Sequence, residues 1–248
     1  PIPNARLLIS NKGDIDLFAQ LKKVKKIQKI FSKKIGFQDE NKIEKKLKNF
    51  WKKNVWLDSL SCPIYYKNLL IKNNKIIEKI DPIYLHKSIK NRIEIKNMKK
   101  SHMIDGVALT KFLFWLKKNF KKKKITEISA QKKLEDFRKM NKNYKFPSFS
   151  TISGAGPNSA IIHYKASAKS NRTLKKGDIY LVDSGGQYSF GTTDVTRTVS
   201  LDNKSKFIKE IYTRVLKGHI AVSNYKVRSN TKGSDIDRNA RKYLKKIG

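Results

Sequence analysis

Residues 178–201 read DIYLVDSGGQYSFGTTDVTRTVSL, and this stretch decides the fold. Ile179 and Leu181, alternating with their neighbours, form a strand pattern that delivers Asp183 at its end. Gly185 and Gly186 follow, and because glycine takes positive φ without steric cost they predict a sharp turn. Beyond a polar loop closed by Gly191, a run rich in Thr and Val carries Asp194; branching at Cβ suits a pleated strand. Such a hairpin brings Asp183 and Asp194 side by side. Two adjacent carboxylates repel one another unless a cation lies between them. Hard carboxylate oxygens facing one point bind divalent ions, singly or as a bridged pair. Two turn aspartates, each hydrogen-bonding its own loop backbone, fit the same spacing, so spacing alone leaves both readings open.

Upstream, Gly154, Gly156 and Pro157 form a loop into the apolar run Ala160-Ile161-Ile162-His163-Tyr164, which reads as a strand. A histidine inside such a run is ordinarily a core residue bonded to a carbonyl. Pro147 breaks helix, and 149–152 opens the strand system. Before it, a long helix carries Met98, His102, Ala108, Phe112 and Trp115 mainly on one face. Gly106 weakens that helix by up to about 1 kcal/mol relative to Ala, which predicts close packing there. A second helix starts at Thr126, a suitable N-cap, and carries Ile128, Leu134 and Phe137. The polar residues of both helices are expected at the surface. Downstream, 205–224 is an amphipathic helix whose expected buried face is Ile208, Ile211, Val215 and Val222. Thr231 to Ser234 form a turn and cap, and a last helix runs toward Gly248 with Asp235 and Asp237 near its N-terminus.

The first 94 or so residues read as mixed α/β. Strands at 6–10 and 15–18 flank the turn Asn11-Lys12-Gly13, and Val24, Ile27, Ile30 and Phe31 recur at helical spacing. Trp51 and Trp56 are expected in the core, and no polar constellation nearby suggests catalysis. The boundary to the long helix falls near 93–96.

Composition narrows the class. With 38% hydrophobic and 31% charged residues over 248 positions, the chain can bury a core in one or two domains. No uncharged apolar run approaches the roughly 18 residues of a membrane helix. The N-terminus lacks a signal peptide's basic start and apolar centre and lacks Met, which reads as processing or a fragment. Cys62 alone excludes an internal disulfide and fits a reducing compartment. The formal charge of +37 is mainly lysine spread through every helix rather than one stripe. It favours a solvated surface with salt-sensitive, non-specific polyanion binding over a dedicated nucleic-acid site.

The motif DSGGQY…GTTDVTRT resembles the metal-binding hairpin of the pita-bread metallopeptidases, in their Xaa-Pro aminopeptidase (aminopeptidase P) branch of the long, three-domain type. SFSTISGAGPNSAIIHY, 148–164, resembles the family strand that bears a substrate-binding histidine, with Ser159 where the family usually has Gly. HMIDGVALTKFLFWL and TRVLKGHIAV are similar to the family's helices, so the likeness covers nearly all of 95–248 and, more loosely, what precedes. The resemblance implies an α+β chain. Residues 95–248 would be the first part of a pita-bread (creatinase/aminopeptidase) domain, and 1–94 part of a second, non-catalytic creatinase-like domain of mixed α/β type. It implies Asp183 and Asp194 as ligands of two divalent metal ions, most often Mn(2+), in a set completed by one His and two Glu. His163 would be the catalytic, substrate-binding histidine; His86, His102 and His219 match no ligand position. Arg197, on the strand of Asp194, is expected to share its face and to orient or charge-balance the site.

The implied reaction is metal-assisted release of the N-terminal residue from a peptide with proline in second position. The implied setting is cytoplasmic, without a membrane or specific nucleic-acid partner, and the whole enzyme a homodimer. The chain stops at KKIG, before the family's metal-binding His, and reads as a fragment inactive by itself. Two alternatives remain: a prolidase-type Xaa-Pro dipeptidase, and a metal-free pita-bread binding module. The GTTDVTRT wording and the preceding domain favour the aminopeptidase over the first. Retention of both aspartates argues against the second.

Overall fold

Apolar periodicities of two and of 3.6 residues resolve into two compact units, Pro1–Lys90 and Asn91–Gly248, in a computed structural model that describes residues 4–31 and 34–245. In the first unit, β1 (Ala5–Ile9) and β2 (Ile15–Ala19) form the expected hairpin, with Gly13 at φ 89 in its turn. Then come α1 (Leu21–Phe31), β3 (Gly36–Asp39) parallel to β2, α2 (Ile43–Lys48) and β4 (Asn54–Leu57). The unit closes with α3 (Ile64–Leu70), β5 (Lys75–Glu78) parallel to β4, and α4 (Pro82–Ser88). Phe18, Ile43, Leu47, Leu57 and Leu70 form its core. Of the apolar face of α1 only Val24 is buried. Trp51 and Trp56 are not core residues: they are 61% and 51% exposed. Trp56 neighbours Leu57 on β4, so it points to the opposite face, where its Nε1 donates to Lys79 O at 3.0 Å.

In the second unit, α5 (Arg92–Asn119) starts at a capping box between Asn91 and Glu94. The next helix, α6 (Glu127–Lys139), starts at Thr126, whose Oγ1 accepts from Ser129 N at 3.2 Å. The strands are β6 (Tyr144–Pro147), β7 (Ile152–Ala155), β8 (Ile179–Ser184), β9 (Gly186–Tyr188), β10 (Gly191–Thr192) and β11 (Val195–Ser200). They make two three-stranded sheets, ordered β11-β8-β7 and β10-β9-β6. Leu109, Phe112 and Leu116 of α5, Ala130 and Leu134 of α6, and Tyr180 and Val182 of β8 build the core. After the strands come α7 (Lys206–Ser223) and α8 (Gly233–Arg241). These two cross closely at Gly218, where an added Cβ would lie 2.2 Å from Ala240 O. Of the expected apolar face of α7, Ile208, Ile211 and Val222 are half-buried and Val215 is exposed; the one fully buried residue of that helix is Gly218. Residues 246–248, where the last helix was expected to end, lie outside the described residues. Among the described residues no helix is long and apolar enough to cross a membrane.

The buried stripe of α5 is Ser101, Asp105, Ala108, Leu109, Phe112 and Leu116, while Met98 and His102 are exposed. Gly106 meets nothing within 4 Å, so it marks no close packing. The expectation that polar helix residues lie at the surface fails at Ser101 and at three charged positions. Asp105, Glu127 and Arg138 are buried, at 1%, 0% and 2% exposure. Asp105 and Arg138 form a two-pronged ion pair, with Arg138 Nε 2.7 Å from Oδ1 and Nη2 2.9 Å from Oδ2. Tyr188 OH also donates to Asp105 Oδ1 at 2.7 Å, and Arg138 Nη2 donates to Ser184 Oγ at 3.0 Å.

Arg138→Ala leaves the Asp105 carboxylate buried without its cation and is expected to destabilise this unit by about 3–5 kcal/mol in urea unfolding. Glu210→Ala, which breaks the i,i+4 pair of the exposed Glu210 with Arg214, is expected to change stability by only about 0.3–0.5 kcal/mol. Burial pushes the Tyr144 phenol up to about 12 and those of Tyr180 and Tyr188 higher still, from an ordinary value of 10.0. Raised phenols contribute stability that is complete below pH 10 and lost as pH climbs through the raised values. Alkaline unfolding should therefore begin above pH 10 and bring phenolate absorbance with it. Tyr144 OH is buried without a partner among the described residues, so Tyr144→Phe is expected to be neutral or stabilising and to delay that transition.

Candidate metal and peptide site

The hairpin read from 178–201 is longer and differently bent than its sequence suggests. The pairs Ser200↔Ile179 through Val195↔Ser184 and the pairs Thr192↔Gln187 and Gly191↔Tyr188 share one uninterrupted register. Thr193 N donates to Gly186 O at 2.9 Å between the two sets, and the reversal itself lies at Ser189 and Phe190. Gly185 and Gly186 therefore do not make the turn, and neither has a positive φ. Gly185 is needed for closeness instead: a Cβ there would fall 1.9 Å from Thr193 O and 2.2 Å from Ser148 Oγ. At this constriction the two arms pass from one sheet to the other, β8 pairing with β7 and β9 with β6.

That register settles which side chains share a face. Tyr180, Val182 and Ser184 are buried on one face of β8. Asp183 belongs to the other, opposite Thr196 on β11 and Ile152 on β7. Continued by one pair, the register sets Asp194, just ahead of β11, opposite Gly185. Asp183 and Asp194 are thus diagonal neighbours on one sheet face, with a glycine and a threonine at the other two corners. Asp194 is exposed, whereas Asp183 is half-buried. Asp183 Oδ1 is buried and has no hydrogen-bond partner among the described residues. A turn aspartate would use that oxygen on its own loop, and an ionised oxygen left bare and dry is unfavourable unless a cation meets it. The pair therefore fits a divalent cation. Among the described residues no cluster of three or more His, Cys, Asp and Glu suited to a metal forms, so the site they show consists of two carboxylates.

Arg197 does not share that face. It stands an odd number of residues beyond Asp194 and pairs with Val182, and side chains alternate along a strand. Its guanidinium is exposed, and Nη1 donates to Thr196 O at 2.8 Å.

His163 is not on a strand either. Gly156, at φ 56, and Pro157 start a 3-10 turn, Gly156–Ala160, in which Ser159 Oγ donates to Gly156 O. Asn158 O then accepts from Ile161 N at 3.3 Å, so the segment curls instead of extending. His163 is exposed at φ 57, a left-handed conformation that is unfavourable by roughly 1–2 kcal/mol for a residue with a Cβ. Backbone held in that region concentrates at functional sites. Asp105, Glu127 and Arg138 escaped sequence reasoning. Their one signal is position: Asp105 falls within the apolar stripe of α5, and Glu127 directly follows the cap of α6.

Comparison with known proteins bears on the whole chain. Residues 96–248 match Metallopeptidase family M24, and residues 1–94 match the Creatinase/Prolidase N-terminal domain. Xaa-Pro aminopeptidase 1 of Dictyostelium discoideum is 43% identical over 200 residues, which are 79% of this chain and 31% of that protein. Xaa-Pro aminopeptidase ApepP of Drosophila melanogaster is 41% identical over 195 residues, 78% of this chain and 32% of its own. The chain thus spans about a third of the length of these relatives. The crystal structure of X-prolyl aminopeptidase from Caenorhabditis elegans, described as a cytosolic enzyme with a di-nuclear active site, superposes with a TM-score of 0.85 at 29% identity. It covers 100% of this chain and 42% of that one.

Gly185→Ala is expected to prise the two arms apart at Thr193 and to destabilise the chain by about 1–3 kcal/mol or more, measured by urea unfolding. Gly106→Ala, in an open helical position, should stabilise by up to about 1 kcal/mol.

Proposed function

The chain belongs to metallopeptidase family M24 and carries part of a pita-bread fold, and from that premise we propose that it supplies half of the active site of an Xaa-Pro aminopeptidase. The observation that carries this reading is the bare, buried Oδ1 of Asp183, set diagonally to Asp194 across Gly185. Asp183 and Asp194 would hold a pair of divalent ions; carboxylate oxygens suit magnesium, calcium and manganese, and the family resemblance implies manganese. When bound, the ions supply the Lewis acidity that polarises a peptide carbonyl and lowers the pKa of water.

The remaining roles belong to the chain's own side chains. Asp183, fixed on the central strand β8, holds its position rigidly, while exposed Asp194 adapts its carboxylate at the rim. His163, presented on its turn, donates a hydrogen bond to the carbonyl oxygen of the substrate's first residue as negative charge develops there. The bond broken is the one preceding a proline in second position. Arg197 has no part in it. A cytoplasmic setting is supported by the description of the Caenorhabditis elegans enzyme as cytosolic. The substrate is a peptide, and we assign no nucleic-acid or membrane partner; the whole enzyme would act as a homodimer.

Two carboxylates bind divalent metal weakly when the rest of a ligand set is absent. This chain alone, with added manganese, is therefore expected to show no turnover of peptides beginning Xaa-Pro. In the full-length gene product, Asp183→Asn or Asp194→Asn should each lower kcat/KM by more than about 100-fold, beyond the loss from an outer hydrogen-bonding partner. Chelator-sensitive turnover by the pure chain, or full activity in either variant, would overturn the assignment. Cleavage of Xaa-Pro dipeptides but not of Xaa-Pro tripeptides would establish a prolidase instead.

A further inference from the structure

Glu127 is a fully buried carboxylate with four separate groups donating to it. Ala155 N donates to Oε1 at 2.8 Å, and Asn158 Nδ2 lies 3.0 Å from Oε1 and 3.2 Å from Oε2. Tyr164 OH donates to Oε2 at 2.8 Å, and Arg172 N to Oε2 at 2.9 Å. Two of these donors bracket a short segment. Asn158 stands before residues 159–163 and Tyr164 directly after them, so one carboxylate holds both ends of the loop that presents His163. Asn158 Nδ2 also reaches Tyr164 OH at 2.8 Å, closing the ring.

Nothing apolar does this work. Ile161 and Ile162, inside the loop, are 53% and 85% exposed, so burial does not fix its shape. The base, by contrast, is firm. Glu127 N donates to Arg172 O and Leu174 N to Ile125 O, zipping the start of α6 to the chain beyond the loop. Ser153 Oγ donates to Glu127 O at 2.8 Å from β7, next to the strand of Asp183.

We propose that Glu127 is the positioning residue that sets His163 against the Asp183 and Asp194 carboxylates, acting by clamping both ends of the 159–163 loop. The proposal rests on the reading of His163 as the substrate-binding group. Its physical core, the clamp, can be tested without it. Every group facing the carboxylate is a donor, so Glu127→Gln keeps size and shape but turns an amide NH2 toward N–H and O–H groups. Tyr164→Phe removes one tether from the other side and guards against a misfolded Gln variant.

In this chain, amide hydrogen exchange across 155–164 should quicken at least tenfold in Glu127→Gln and in Tyr164→Phe, with the β8 and β11 amides unchanged. Unchanged exchange in the loop of either folded variant would overturn the clamp. In the full-length gene product, Glu127→Gln should lower kcat at least tenfold with KM within about twofold, and have no further effect in a His163→Ala background. Independent, multiplicative losses would overturn positioning through His163. If His163→Ala alone left kcat intact, the reading of the site would fail. The exchange result would then judge the clamp by itself.

Discussion

A guanidinium enclosed with a carboxylate, Arg138 with Asp105, joins the parts of the second unit that carry the candidate site. Asp105 belongs to α5 and Arg138 to α6; the pair then reaches Ser184 at the end of β8 and Tyr188 on β9. Those two strand residues lie on either side of the Gly185 constriction. Moving two charges out of water is unfavourable by several kcal/mol each, so the pair adds little net stability while it is intact. Its effect is selective. Helices packed in another rotation, or arms shifted past one another, would strand a charge in the core, and such alternatives are strongly disfavoured. The position of Asp183, adjacent to Ser184, inherits that restriction.

Much of this architecture is legible in residue order because it follows periodicity. The helix cap at Thr126, the β1–β2 hairpin and the two strands flanking 185–194 all come from local rules. Reading failed where a residue's role depends on what lies across from it. Asp105, Glu127 and Arg138 look like surface charges until the partner groups 33 or 28 positions away are known. Ala160 to Tyr164 looks like a strand because its residues are apolar, but Pro157 and the bonds of Asn158 curl it first. Gly185 looks like a turn glycine in the sequence, whereas its value is the absence of a Cβ, a tertiary fact invisible in order alone. The face of Arg197, in contrast, was available from parity along one strand.

A formal charge of +37 raises the question of how this chain condenses at all. Part of the answer is that lysine stems lie along aromatic surface. Lys133 Nζ sits 5.7 Å from the Trp115 ring centre and 5.2 Å from that of Phe137, and Lys100 covers Phe190 at 4.8 Å. The charged ends remain in water, where salt screens them over about 8 Å at physiological strength. The buried carboxylates stay out of this surface field and are answered locally, Asp105 by one cation and Glu127 by neutral donors.

The single register running through β8–β11 and β9–β10 has a consequence for how related sequences are free to differ in length. Side chains alternate with a period of two, so one residue inserted in either arm would swap inward and outward positions over everything beyond it. It would carry Asp183 to the helix-facing side, or Asp194 away from Gly185, and upset both sheets together. Only the reversal at Ser189 and Phe190 can lengthen without altering any pair below it. Variation in length along this hairpin should therefore be confined to that tip, with the spacing from Ile179 to Tyr188 and from Gly191 to Ser200 held constant.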